Sequence, residues 1–143
     1  MAGRKAPKPT TSEEWQAYRE KRAAGSHEDR VHKAVLVWVQ RTMPHALVYH
    51  TPNGGRRSRM EAIRFKALGV MPGVPDLTIL MPGGQVIFLE VKPEKTGALS
   101  PEQKLFRNAL ATLGGYHWAC VRSIDDARDA FSEWGIVSKE KAA

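Results

Sequence analysis

Two apolar, β-branched runs, 76–81 (DLTILM) and 85–92 (QVIFLEVK), stand either side of Pro82-Gly83-Gly84. A Pro-Gly-Gly break between two runs of strand composition reads as a hairpin. Neither run alternates apolar with polar, so both faces of each strand need cover. The hairpin therefore belongs in the interior of a sheet with layers on both sides. Two further runs suit the same sheet, 46–51 (ALVYHT) before it and 116–121 (YHWACV) after it.

Helical signals fill the gaps. Thr11 or Ser12 can cap a helix through Ala24, with Glu13 and Glu14 in its first turn. Gly25 reads as its stop. Ser26 then caps a second helix to about Arg41, striped by Val31, Val35, Trp38 and Val39. A third is expected over 58–68, with Ile63 and Leu68 inward and Gly69 as its stop. Ser100-Pro101-Glu102-Gln103 has a cap, a first-turn proline and a capping-box glutamine, and opens a helix to Leu113. Ser123 caps a last one through about Trp134. The expected fold is one α/β domain: a mixed sheet of about four strands flanked by helices, in the order α-β-β-β-α-β, with an extra N-terminal helix. Residues 1–10 read as a disordered basic arm, 11–25 as a helical extension, 26–137 as the folded domain and 138–143 as a frayed tail.

Composition narrows the function. The 143 residues carry 22 Lys and Arg against 15 Asp and Glu, a formal charge of +7. The excess is uneven: +3 over 1–24, +5 over 25–75 and −1 over 76–143. Such a basic half favours a polyanion, nucleic acid first. A single cysteine excludes a disulfide framework and a thiolate zinc cluster. No apolar run approaches the roughly 20 residues of a membrane helix, and the basic N-terminus has no apolar segment behind it, so a cytoplasmic protein without a membrane partner is expected.

Two acids in the second half stand out because their surroundings are apolar. If Pro82–Gly84 forms a three-residue loop, Met81 pairs with Gln85, and counting back sets Asp76 opposite Glu90. Glu90 and Lys92 share a face by alternation, and Asp76 joins them. A two-residue loop would turn Asp76 to the other face. An acid at a strand start and an exposed Glu–Lys pair would explain each residue singly. Phe88, Leu89 and Val91 make the strand interior, which favours the three acting together. Two carboxylates and an amine suit Mg²⁺ or Mn²⁺ chemistry on a phosphodiester, with Lys92 orienting or deprotonating a water.

Pro75-Asp76, thirteen residues, then Glu90-Val91-Lys92 resembles the PD-(D/E)xK nuclease signature. With Asn53-Gly54-Gly55, Gly69, Gly73-Val74-Pro75-Asp76, Phe88 to Lys92 and Leu99 to Gln103, the chain resembles the VRR-NUC (virus-type replication-repair nuclease) family over roughly residues 26–122. The resemblance implies a restriction-endonuclease-like core. It matches Asp76 and Glu90 to metal-binding acids, the carbonyl of Val91 to a further metal ligand and Lys92 to the catalytic lysine. Glu28 matches an acid that reaches the metal directly or through water, and Gln103 a polar residue near the lysine. A surface glutamate and a capping glutamine explain those two almost as well. The resemblance further implies a Mg²⁺-dependent, structure-selective DNA endonuclease, often a homodimer acting on branched DNA such as four-way (Holliday) junctions. The setting would be DNA replication, recombination and repair in a phage or a bacterial cell. A DNA-binding or assembly module without chemistry, and a nuclease acting on flaps or RNA, are the alternatives.

Asn53, Arg56, Arg57 and Arg59 follow the first strand and are expected phosphate contacts, with Lys66 and Lys95 as further candidates. The five histidines show no paired metal spacing. His32 lies one turn after Glu28 and His50 ends a strand. For both, a histidine satisfied by its neighbours is the simpler reading. Cys120, Trp38, Trp118 and Trp134 read as core. Trp15 and Tyr18 are candidates for a contact between subunits.

Overall fold

Thr11 opens the first element with a complete capping box: its hydroxyl accepts from the Glu14 N–H, and the Glu14 carboxylate accepts from the backbone N–H of Thr11. The computed structural model describes residues 8–52 and 58–136, with 23–26 by backbone only. Helix α1 spans Ser12–Thr42 without a break. The two helices expected on either side of Gly25 are thus one. A glycine inside a helix costs only about 1 kcal/mol, less than ending a helix and starting another without tertiary support. The boundary expected at 25/26 falls inside α1.

Strand β1 (Leu47–His50) follows, then α2 (Arg59–Ala67), β2 (Leu77–Leu80), β3 (Val86–Val91), α3 (Pro101–Leu113), β4 (His117–Val121) and α4 (Ile124–Glu133). The sheet order is β1-β2-β3-β4, with the first two pairings antiparallel and β3–β4 parallel. The hairpin is interior, as its two apolar faces require. Met81 N–H donates to the Gln85 carbonyl across the Pro82–Gly84 loop at 2.9 Å, and Leu77 pairs with Leu89. That register continues to Asp76 opposite Glu90, the three-residue-loop alternative.

Alternation sends Leu77, Ile79, Ile87, Leu89 and Val91 to one face, where all are fully buried. They join Val35, Trp38 and Val39 of α1 and Ala127 and Phe131 of α4 in one core. Trp38 and Phe131 lie 5.3 Å apart, ring to ring. The other face is covered by α3, where Phe106 meets Phe88 edge-on at 5.6 Å. Asp76, Thr78, Phe88 and Glu90 belong to this second face. Trp118 is half-buried there rather than core, with the Arg107 guanidinium over its ring, and Cys120 is likewise half-buried.

Helix α2 departs from expectation. Ile63 is 55% exposed and Leu68 68% exposed, and α2 buries no residue. Its apolar residues do not line up as one stripe, and its Ala62 and Phe65 side is turned to a cleft instead.

One glycine ties the loop before Asp76 to α3. Gly73 has φ +81°, and a Cβ there would lie 2.4 Å from the backbone carbon of Glu102 and 2.8 Å from the Gln103 nitrogen. Gly83 has a similar φ of +89° and open space around it. Both substitutions by alanine incur the same left-handed backbone penalty, so their difference isolates the contact. We expect Gly73→Ala to be less stable than Gly83→Ala by about 1–3 kcal/mol in urea denaturation, with α3 displaced.

Candidate active site

The C-terminal half of α1, the end of β1, the Val70–Asp76 segment, Glu90 and the start of α3 enclose a cleft of about 990 Å³. Among the described residues, Glu28, Asp29, Asp76, Glu90 and Glu102 line it, against one lysine, Lys66. An acid-lined cleft in a chain of charge +7 repels phosphate unless cations intervene.

Asp76 stands at the centre. Its Oδ2 accepts the Val91 N–H at 2.7 Å, which binds the loop before β2 to the end of β3. Glu90 is 3% exposed. Its Oε1 accepts from Gln103 Nε2 at 2.9 Å, while Oε2 is buried without a hydrogen-bond partner among the described residues. Burial pushes the Glu90 carboxyl up to about 8, and the negative charge of Asp76 adds to the shift. A protonated Glu90 can donate to Asp76, which further favours the neutral form; Lys92 acts in the opposite direction. Burial also raises Glu28, reinforced by Asp76 and opposed by Lys92. Lys92 thus acts electrostatically on both acids and shares the Glu90 face.

Gln103 performs two tasks with one amide. Its Oε1 accepts the Ser100 N–H at 2.8 Å, completing the α3 capping box, and its Nε2 is thereby aimed at Glu90. Capping and site contact, read from sequence as rival explanations, coexist.

Two histidines enter from the α1 side. His32 and His50 meet edge-on with ring centroids 4.5 Å apart. His50 Nδ1 lies 2.8 Å from the Asp76 backbone carbonyl, so that nitrogen donates, and in the neutral ring this leaves the lone pair on Nε2. Burial and the neighbouring His50 hold His32 below the usual imidazole range. One ligand atom from each of His32, His50 and Asp76 lies within 4.8 Å of the others.

Two solved structures share this arrangement of elements. One, a "VRR_NUC domain protein", is 25% identical with a TM-score of 0.60, over 76% of this chain and 87% of that one. The other, a "VRR_NUC domain", is 24% identical with a TM-score of 0.50, over 75% of this chain and 95% of that one. The chain folds as a VRR-NUC domain. No protein-family model and no curated protein matches it.

Within this VRR-NUC fold, Asp76, Glu90, Gln103, Glu28 and Lys66 share the cleft, and Val91 and Lys92 adjoin it. Arg59 opens α2 and is exposed, as is Lys95 beyond β3. Asn53, Arg56 and Arg57 lie outside the described residues. The meeting of His32 with His50 escaped sequence reasoning, since 18 positions separate them and no short motif links them. So did Arg122, whose guanidinium donates to the carbonyls of Pro93, Thr96 and Gly97 and pins the segment after Lys92.

The raised Glu90 carboxyl has a stability consequence. Between pH 4.5 and about 8 the unfolded chain has lost a proton that the native state keeps. With divalent cations chelated, stability is therefore expected to fall as pH rises through that window. Glu90→Gln, which keeps an acceptor for Gln103 and a donor toward Asp76, is expected to flatten the slope. Urea titrations at pH 5, 7 and 9 in EDTA measure it.

Proposed function

We propose that this VRR-NUC domain is a Mg²⁺-dependent endonuclease that hydrolyses phosphodiester bonds in branched DNA. The observation that carries this reading is the facing pair Asp76 and Glu90, with a buried Glu90 oxygen that has no donor among the described residues. A buried carboxylate oxygen without a donor is costly, and a hard divalent cation is the partner that relieves it without a proton. Asp76, Glu90, the Val91 carbonyl and Glu28 form an all-oxygen donor set that fits Mg²⁺, with Mn²⁺ as its substitute. When bound, such an ion offsets charge on the phosphate and lowers the pKa of a water beside it.

The remaining work falls to the chain. Gln103 holds the Glu90 carboxylate in place through the hydrogen bond that its cap geometry aims. Asp76 is held by the Val91 N–H, so the two acids keep a fixed separation. Lys92 offsets developing negative charge on the phosphate and orients the attacking water. The products are a 5′-phosphate and a 3′-hydroxyl. Lys66 in the cleft contacts backbone phosphates, with Arg59, Lys95, Asn53, Arg56 and Arg57 as further phosphate contacts, and together they position the duplex without reading sequence. Symmetric cutting of a four-way junction needs two such sites, which a homodimer supplies.

Labelled junction, flap, linear duplex and RNA substrates, each with Mg²⁺ or EDTA, test the reading. Junction cleavage that requires Mg²⁺ is expected. Asp76→Ala should fall to background. Lys92→Ala should lose roughly 10²–10⁴-fold, and Gln103→Ala roughly 10–100-fold, because it acts through Glu90. Salt-dependent DNA binding without turnover, or full activity in Asp76→Ala, overturns the proposal. Light scattering at assay concentration checks the dimer.

A further inference from the structure

The oxygen donors of Asp76 and Glu90 occupy one side of the cleft and leave His32 and His50 unused. These two imidazoles come from different elements, α1 and β1, and converge on the same Asp76. Donors around a tetrahedral ion lie about 3.4 Å apart, given metal–ligand bonds near 2.1 Å. The three ligand atoms here already fall within 4.8 Å.

A second, independent feature points the same way. Metal-binding histidines commonly donate their other ring N–H to a carbonyl or carboxylate, which sets the tautomer and aims the ring. His50 has this arrangement, with Nδ1 on the Asp76 carbonyl at 2.8 Å and Nε2 left to bind. The Thr51 N–H donates to the same carbonyl at 2.9 Å, anchoring the acceptor itself. The ring is therefore aimed by a backbone carbonyl that is itself fixed.

We propose that His32, His50 and Asp76 form a second cation site that takes a first-row transition ion of the Zn²⁺ class. Two imidazoles and one carboxylate select Zn²⁺, Co²⁺ or Ni²⁺ over Mg²⁺, which prefers oxygen and keeps its waters. Asp76 belongs to both donor sets, so the two sites are coupled through one carboxylate. The geometry of the histidines carries this proposal, and it stands whether or not the chain cuts DNA.

Co²⁺ is the probe, read by its visible absorption and by paramagnetic broadening of histidine side-chain NMR signals in the intact chain. One ion per chain is expected to bind in the presence of millimolar Mg²⁺, broadening His32 and His50. His117, stacked on Trp134 at 4.8 Å, should be unaffected. His32→Ala and His50→Ala should each weaken binding roughly tenfold or more, with circular dichroism unchanged, while Glu90→Gln should retain it. Displacement of Co²⁺ by Mg²⁺, broadening that spares the two histidines, or undiminished binding in the double alanine variant overturns the proposal. The broadening experiment needs no variant to fold, so it decides the matter even if a substitution unfolds the chain.

Discussion

Asp76 faces Glu90 because the Pro82–Gly84 loop is three residues long, and the cleft is organised around that pairing. The Met81–Gln85 hydrogen bond sets the register, and strands tolerate no half-step: a slip of one residue would turn every side chain of β2 to the opposite face. The register is protected because Leu77, Ile79, Ile87 and Leu89 all bury on the other face. Exposing them would cost about 1.5–3 kcal/mol each. A polar site of two carboxylates is thus held in place by an apolar core on the reverse side of the same strands.

The second requirement is that α3 arrive at a fixed height above this pair. Gly73 allows the loop leading to Asp76 to lie directly against the backbone of Glu102 and Gln103. Ser100 and Gln103 close the helix start, and the amide that completes the cap also holds Glu90. Arg122 fastens the intervening segment through three carbonyls. The motif glycine, the helix cap and the buried acid are therefore parts of one mechanical connection. Each local feature is ordinary, and their joint placement makes the site rigid.

Much of this was legible in one dimension. Four strands, the interior hairpin and the Ser100 cap follow from short-range patterns: apolar runs, turn residues and cap residues. The Asp76–Glu90 pairing is one of two registers those patterns allow, and the hairpin adopts it. The failures have equally physical causes. Gly25 reads as a stop in the sequence, but a single glycine costs less than a break in a long helix. The pattern points Ile63 and Leu68 inward, but in a nine-residue helix it is too short to specify a face. Ser100–Gln103 posed a choice between capping and chemistry because sequence shows an amide and not where its two ends point.

The amino-acid sequence by itself determined the strands and narrowed the facing of the acids to two loop registers, because turn signals and side-chain alternation are local properties of the chain. The Met81–Gln85 pairing of the folded hairpin selects the three-residue one. Only the tertiary structure decided that Glu90 keeps an oxygen without a donor among the described residues, that Gln103 serves two partners, and that His32 and His50 meet over Asp76. Those depend on how α1 and α3 pack onto the two faces of the sheet. That packing is set by the summed burial of many apolar side chains, which no spacing between two residues encodes.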